Sequence, residues 1–224
     1  IIKGIYRGTV TVKEDGKVLA ELPLTVTVKN HVLPAPKDWA FHLDLWQNPY
    51  AVSRYYNVEP FSKEHFDLMR PIMKRYADAG GKVITASIMH KPWNGQTFDP
   101  FESMVTWMKK ADGSWWFDYT VFDKWVEFMM PLGIKKEIGC FSRVPWRLSF
   151  QYFDQASNQF KYFTGKPGEP EYEEFWTRML KSFALHLKEK GWFDITHIAM
   201  DERSMKDMLA TIAVIMKADK DFKI

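Results

Sequence analysis

From residue 39 onward the hydrophobic period of this chain switches repeatedly between two and about 3.6, and that alternation limits the fold more than any other feature. Short apolar runs at 39–45, 82–88, 136–142 and 196–200 read as strands. Each is followed, after a loop, by an amphipathic segment. The first helix is predicted over 62–79: Ser62 caps it, Phe66, Met69, Ile72, Met73 and Tyr76 form its apolar stripe, and Gly80-Gly81 ends it. Further helices are predicted over 119–130, stopped by Pro131-Leu132-Gly133, over 171–190, ended by Gly191, and over 206–217. Repeated strand-then-helix units imply a parallel sheet with right-handed crossovers, hence an α/β fold.

Two long insertions, 89–116 and 143–170, both follow strands, and the second suggests a hairpin. In a (β/α)8 TIM-type barrel the loops after strands build the active face. The expected architecture is therefore the first half of such a barrel, strands one to four. Half a barrel has open edges, so the chain reads as a piece of a longer protein whose remaining strands are its partner. Aromatic residues make up 16% of the chain, including 10 Trp, and many lie in these loops, where a core cannot be their only use.

The first thirty residues differ. Residues 5–12 alternate in part, Glu14-Asp15-Gly16-Lys17 contains the Asp-Gly hairpin signal, and Leu24, Val26 and Val28 alternate again. A lone hairpin is marginal in water. Residues 1–33 are accordingly read as the last strands of a β-sandwich domain. The linker Leu33-Pro34-Ala35-Pro36 then opens a catalytic domain over 34–224.

Composition removes several functions. The net charge is +3 and no basic block stands out, so a nucleic-acid surface is not indicated. One Cys excludes an internal disulfide and any all-cysteine zinc site, and no His pair has the His-Glu-x-x-His spacing. No metal or other cofactor is called for. No apolar run approaches the roughly 20 residues that span a bilayer.

Alternation places Phe41, Leu43 and Leu45 on one face of the first strand, under the helices, and His42, Asp44 and Trp46 on the lumen face. On the second strand Thr85 and Ser87 face inward. On the fourth, His197, Ala199 and Asp201 share a face, and Glu202 follows where the chain leaves the strand. His42 and His197 are read as hydrogen-bonded supporting residues, and Cys140 as a small buried apolar one. Asp44 is harder to dismiss, because an acid pointing into a barrel must be paired, solvated or used.

Asp201-Glu202 is the centre of the functional reading. Acids are also favoured at a helix N-terminus, but Ser204 can supply that cap. Both acids directly follow an apolar strand. In the largest glycosidase clan that position carries Asn-Glu. Adjacent carboxylates instead suit sugars with a 2-acetamido group, whose own carbonyl oxygen attacks the anomeric carbon. One carboxylate orients the acetamido N–H and stabilises the oxazolinium; the other protonates the leaving oxygen.

Trp39-Ala40-Phe41-His42-Leu43-Asp44-Leu45-Trp46-Gln47-Asn48-Pro49 and Ile198-Ala199-Met200-Asp201-Glu202 together resemble glycoside hydrolase family 123. The resemblance runs from about Leu33 to the end. It implies a bacterial β-N-acetylgalactosaminidase, periplasmic or secreted, with Asp201 orienting the acetamido group and Glu202 as general acid/base. Trp46, Trp93 and Trp146 are candidates to stack on sugar faces, and Asp44, Gln47 and His90 to contact hydroxyls. Two rivals stay open: a two-carboxylate retaining glycosidase with its nucleophile on a later strand, and a carbohydrate-binding barrel without catalysis.

Overall fold

The computed structural model describes residues 1–200 and 202–224. The chain divides into two compact units, Ile1–Asp38 and Trp39–Ile224.

The first unit is an antiparallel hairpin of β1 (Gly4–Glu14) and β2 (Lys17–Val28). Asp15 and Gly16 both take positive φ, 46° and 81°, as a two-residue hairpin turn requires. A register shift at Val12/Lys13 marks a bulge.

The second unit is mixed α/β. After α1 (Pro49–Tyr56), α2 (Lys63–Asp78) is capped by Ser62, whose side chain accepts from the His65 amide. Strand β3 (Val83–Ser87) follows. The first insertion carries a hairpin of β4 (Thr106–Lys109) and β5 (Trp115–Asp118). Helix α3 (Thr120–Met129) leads to β6 (Glu137–Phe141). The second insertion carries the hairpin of β7 (Ser149–Asp154) and β8 (Gln159–Thr164). Then come α4 (Pro170–Lys190), ended by Gly191 at φ 71°, β9 (Thr196–Ile198) and α5 (Met205–Ala218).

The parallel sheet runs in chain order, β3-β6-β9. Single parallel bridges extend it at both edges, Leu43 to Gly81 and Lys223 to His197. The sheet is open; the described residues form no closed barrel. Alternation along it is as expected. Ile84, Ala86, Ile138, Cys140 and Ile198 are buried in the main core with the helices, and Phe141 and Ala199 belong to a separate aromatic cluster. Trp125 of α3 is fully buried, and its indole N–H donates to the Thr85 carbonyl at 2.9 Å.

Two expectations need correction, and one helix was missed. Residues 39–45 do not form a strand; only Leu43 pairs, and Phe41 and Leu45 are exposed rather than packed under helices. The reason is visible at Gln47, whose side chain takes the hydrogen bonds that a longer strand would have given the β3 edge. The first insertion is not a bare loop but contains β4 and β5. Helix α1 went unread, although Asn48 caps it and Pro49 occupies its first turn.

The two insertions meet. Met108 and Lys109 of β4 pair in parallel with Phe153 and Asp154 of β7, giving a second sheet in the order β5-β4-β7-β8. Its inner face packs on α4: Trp107 stacks on Phe175 at 4.8 Å, as Phe163 does, and Phe150 meets Trp176 edge-on at 5.3 Å.

Candidate active site

The ends of β3, β6 and β9 bring together residues from loops far apart in sequence. Trp46 lies 4.9 Å from Trp93 and 4.9 Å from Phe141, the last residue of β6. Trp93 is buried and meets Phe101 edge-on at 4.5 Å. Trp46 remains half exposed, so one aromatic platform faces outward from a buried support. Its indole N–H is a hydrogen-bond partner of the Asp44 carboxylate. Burial, and next the nearby Glu137 charge, push the Asp44 carboxyl above the ordinary carboxylate range; His42 and the Trp46 bond oppose this.

Ala199 packs on the same aromatic cluster. Its amide donates to the Cys140 carbonyl at 2.9 Å, and its carbonyl accepts from the Arg143 amide at 3.4 Å. The exits of β6 and β9 are thereby stapled together two residues before Asp201. Asp201 itself lies outside the described residues. Glu202 is exposed. The next residue, Arg203, lays its guanidinium over the Trp146 ring at 4.8 Å and donates to the carbonyls of Val144 (3.2 Å) and Pro145. Trp146 is therefore tied to the segment that carries the candidate acids.

Gln47 serves the sheet. Its carboxamide oxygen accepts from the Thr85 amide at 2.8 Å, and its NH2 donates to the carbonyls of Val83 (3.2 Å) and Leu45. The residue is buried, and these bonds occupy its carboxamide within the protein. Gln47→Leu is expected to lower stability by about 2 kcal/mol in thermal or urea unfolding, because it strands the buried Thr85 amide of β3. An unchanged midpoint would argue against the buttress role.

His90 is partnered by a carboxylate. Its Nδ1 is 2.5 Å from Glu102 Oε2, and that bond is the main reason the Glu102 carboxyl sits below the usual range. His42 and His197 face Glu137, at 3.8 and 3.7 Å, as supporting residues would. Sequence reasoning missed Phe141, Phe101, Glu102 and Arg203. Only Phe141 carried a usable signal, since it ends an alternating strand on the inward face.

Among the described residues no group of three or more His, Cys, Asp or Glu could hold a metal ion. What the arrangement offers is an aromatic platform with the Asp44 carboxylate next to Trp46, suited to the C–H faces and hydroxyls of a sugar.

Comparison with known proteins agrees with this chemistry. The family model for the catalytic domain of glycoside hydrolase 123 matches residues 46–224. A family 123 glycoside hydrolase from Clostridium perfringens, whose structural analysis addressed glycolipid glycan hydrolysis, is 39% identical with a TM-score of 0.84. The match covers 96% of this chain and 38% of that one, so the chain spans well under half the length of this relative. A search of curated proteins finds no significant match. On the family match and on this likeness in sequence and structure, the chain belongs to glycoside hydrolase family 123.

Proposed function

We propose that the protein contributes the catalytic carboxylates of a retaining β-N-acetylhexosaminidase, acting on terminal β-linked N-acetylgalactosamine with the substrate's acetamido oxygen as nucleophile. In this reading Asp201 orients the acetamido N–H and stabilises the oxazolinium, and Glu202 protonates the leaving oxygen and then activates water. The observation that carries it is the packing of Ala199 on the Trp93–Phe141 cluster. The chain that leads to Asp201-Glu202 thus packs at Ala199 on an aromatic wall, which supports the reading. A glycolipid glycan is the proposed substrate class, following the Clostridium perfringens relative. The open parallel sheet is read as the first half of a (β/α)8 barrel, and the N-terminal hairpin as part of a β-sandwich domain. Asp44, Trp46, His90, Trp93 and Trp146 are proposed to shape or contact the sugar site.

A thiazoline of N-acetylgalactosamine mimics the cyclic intermediate and tests the mechanism in the full-length protein. It is expected to bind at least about 100-fold more tightly than the free sugar. Asp201→Ala should weaken the mimic more than the sugar. A two-carboxylate enzyme would instead form a glycosyl ester with a 2-fluoro donor. Such an adduct, found by intact mass and peptide mapping, would overturn substrate assistance.

A further inference from the structure

Arg143, two residues past the end of β6, is entirely shielded from solvent. Its Nη1 donates to the Thr211 carbonyl of α5 at 3.1 Å. Its guanidinium carbon lies 5.3 Å from the centroid of the Tyr172 ring and 5.1 Å from that of Trp176, both on α4. Ring faces answer part of a cation's charge, but they offer nothing to N–H groups in the guanidinium plane. Nε and Nη2 have no hydrogen-bond partner among the described residues. Burial lowers the guanidinium pKa only to about 10, so the group is a cation at neutral pH.

The acids around it are engaged elsewhere. Glu173 of α4 acts on Arg143 through its field, and its Oε1 is held by Lys217. Asp207 of α5 acts on Tyr172, and its Oδ2 accepts from Ser204 Oγ at 2.9 Å. The other charge at this turn is a second cation, Arg203, spent on the carbonyls of Val144 and Pro145. Among the described residues, then, no Asp or Glu pairs with Arg143. Buried charges are ordinarily paired, because an uncompensated one is among the costliest things a fold can hold.

Further donors stand beside it. Thr211 Oγ1 and Trp176 Nε1 are also buried without a partner. The Tyr172 hydroxyl ties the groups to one place. It donates to the Arg143 carbonyl at 2.6 Å. Burial pushes its pKa up, and the Arg143 and Thr211 side chains act against that push at the same oxygen. A water molecule would answer these N–H and O–H groups and leave the charge uncompensated; an anion answers both. Arg143, Tyr172, Trp176 and Thr211 are each 0% exposed, so the surroundings suit a monatomic ion and not one the size of phosphate or sulfate.

We propose that Arg143 and Thr211 form a buried halide site that takes chloride. The ion would brace the turn after β6 between α4 and α5. The same turn reaches the neighbouring strand, because the Arg143 amide donates to the Ala199 carbonyl.

The test uses the full-length protein, with chloride and bromide as probes. In crystals grown with sodium bromide, an anomalous peak is expected in hydrogen-bond contact with Arg143 Nε and Nη2 and Thr211 Oγ1. In solution, chloride is exchanged for gluconate, which is too large for the site, at constant ionic strength. The midpoint of thermal unfolding is expected to rise by about 2–4 °C for each tenfold increase in chloride above half-saturation. Thr211→Val keeps the side-chain shape and removes one donor, so the half-saturating chloride concentration should rise about 10-fold. Density for a water molecule or for a carboxylate of the chain itself on Nε and Nη2, with no bromide peak, would overturn the proposal. A peak without a chloride-dependent midpoint is binding at crystal concentration only, and it overturns the proposal too. So does a chloride dependence that Thr211→Val leaves unchanged, since the ion would then act elsewhere.

Discussion

In the full-length protein, Glu202→Gln is expected to lower kcat/KM by about 10²–10⁴-fold on a glycoside with a poor leaving group, and far less on an activated aryl glycoside. A sugar leaving group needs a proton as the bond breaks; a nitrophenolate does not. Asp201→Asn should cost about 10²–10³-fold on both substrates, because charge on the oxazolinium develops whatever departs. The contrast, more than either loss, identifies the roles. If both variants showed the same leaving-group dependence, the division between an orienting carboxylate and a proton donor would be wrong. Asp201→Asn preserves size and hydrogen-bonding shape, so a large loss would report charge and not packing.

The largest stability effect is expected at Gly81. A Cβ there would fall inside the van der Waals envelope of the Tyr76 ring. That ring cannot simply swing away. Its hydroxyl lies 3.1 Å from the Leu43 carbonyl and 3.2 Å from the Val83 carbonyl, and 3.4 Å from the amides of Leu45 and Val83. Gly81→Ala therefore overpacks the site and disrupts the bonds holding residues 43–45 to β3. Overpacking costs about 1–3 kcal/mol and each lost hydrogen bond about 1. A fall of about 3 kcal/mol is expected in urea unfolding. Tyr76→Phe, which removes the hydroxyl without the clash, should show about a third of it. If Gly81→Ala were neutral, the anchor at Tyr76 would be looser than its hydrogen bonds imply.

The helices were legible because their signals are local. Ser62 at the start and Gly80-Gly81 at the end bracket α2, and Gly191 closes α4, within a residue or two of the predicted limits. The parallel order of β3, β6 and β9 followed from the alternation of strands and helices, and the second insertion was recognised as a hairpin. Strand 39–45 misled for a physical reason. Its alternation is real, but Gln47 supplies by side chain what the backbone ladder would have supplied, and pattern alone cannot show that substitution. The join of β4 to β7 was also invisible, because pairing between two separate insertions leaves no trace in either. At the site, the Trp46–Trp93 contact unites two residues singled out separately. Glu102 and Arg203 escaped notice because a charged residue in a loop looks solvated until its partner is known.

The parallel contact between β4 and β7 also sets an order of events during folding. Each hairpin is local and needs only a short loop closed, which takes on the order of microseconds. Joining them requires β6 and α3 to be in place first, because those elements lie between them in the chain. Ring closure over longer separations is entropically slower to reward. Substitutions at Met108 or Phe153 should therefore speed unfolding and leave the refolding rate nearly unchanged, whereas substitutions in the β3–β6 sheet should slow refolding. The last part of this chain to become native would be the sheet that the two insertions build together.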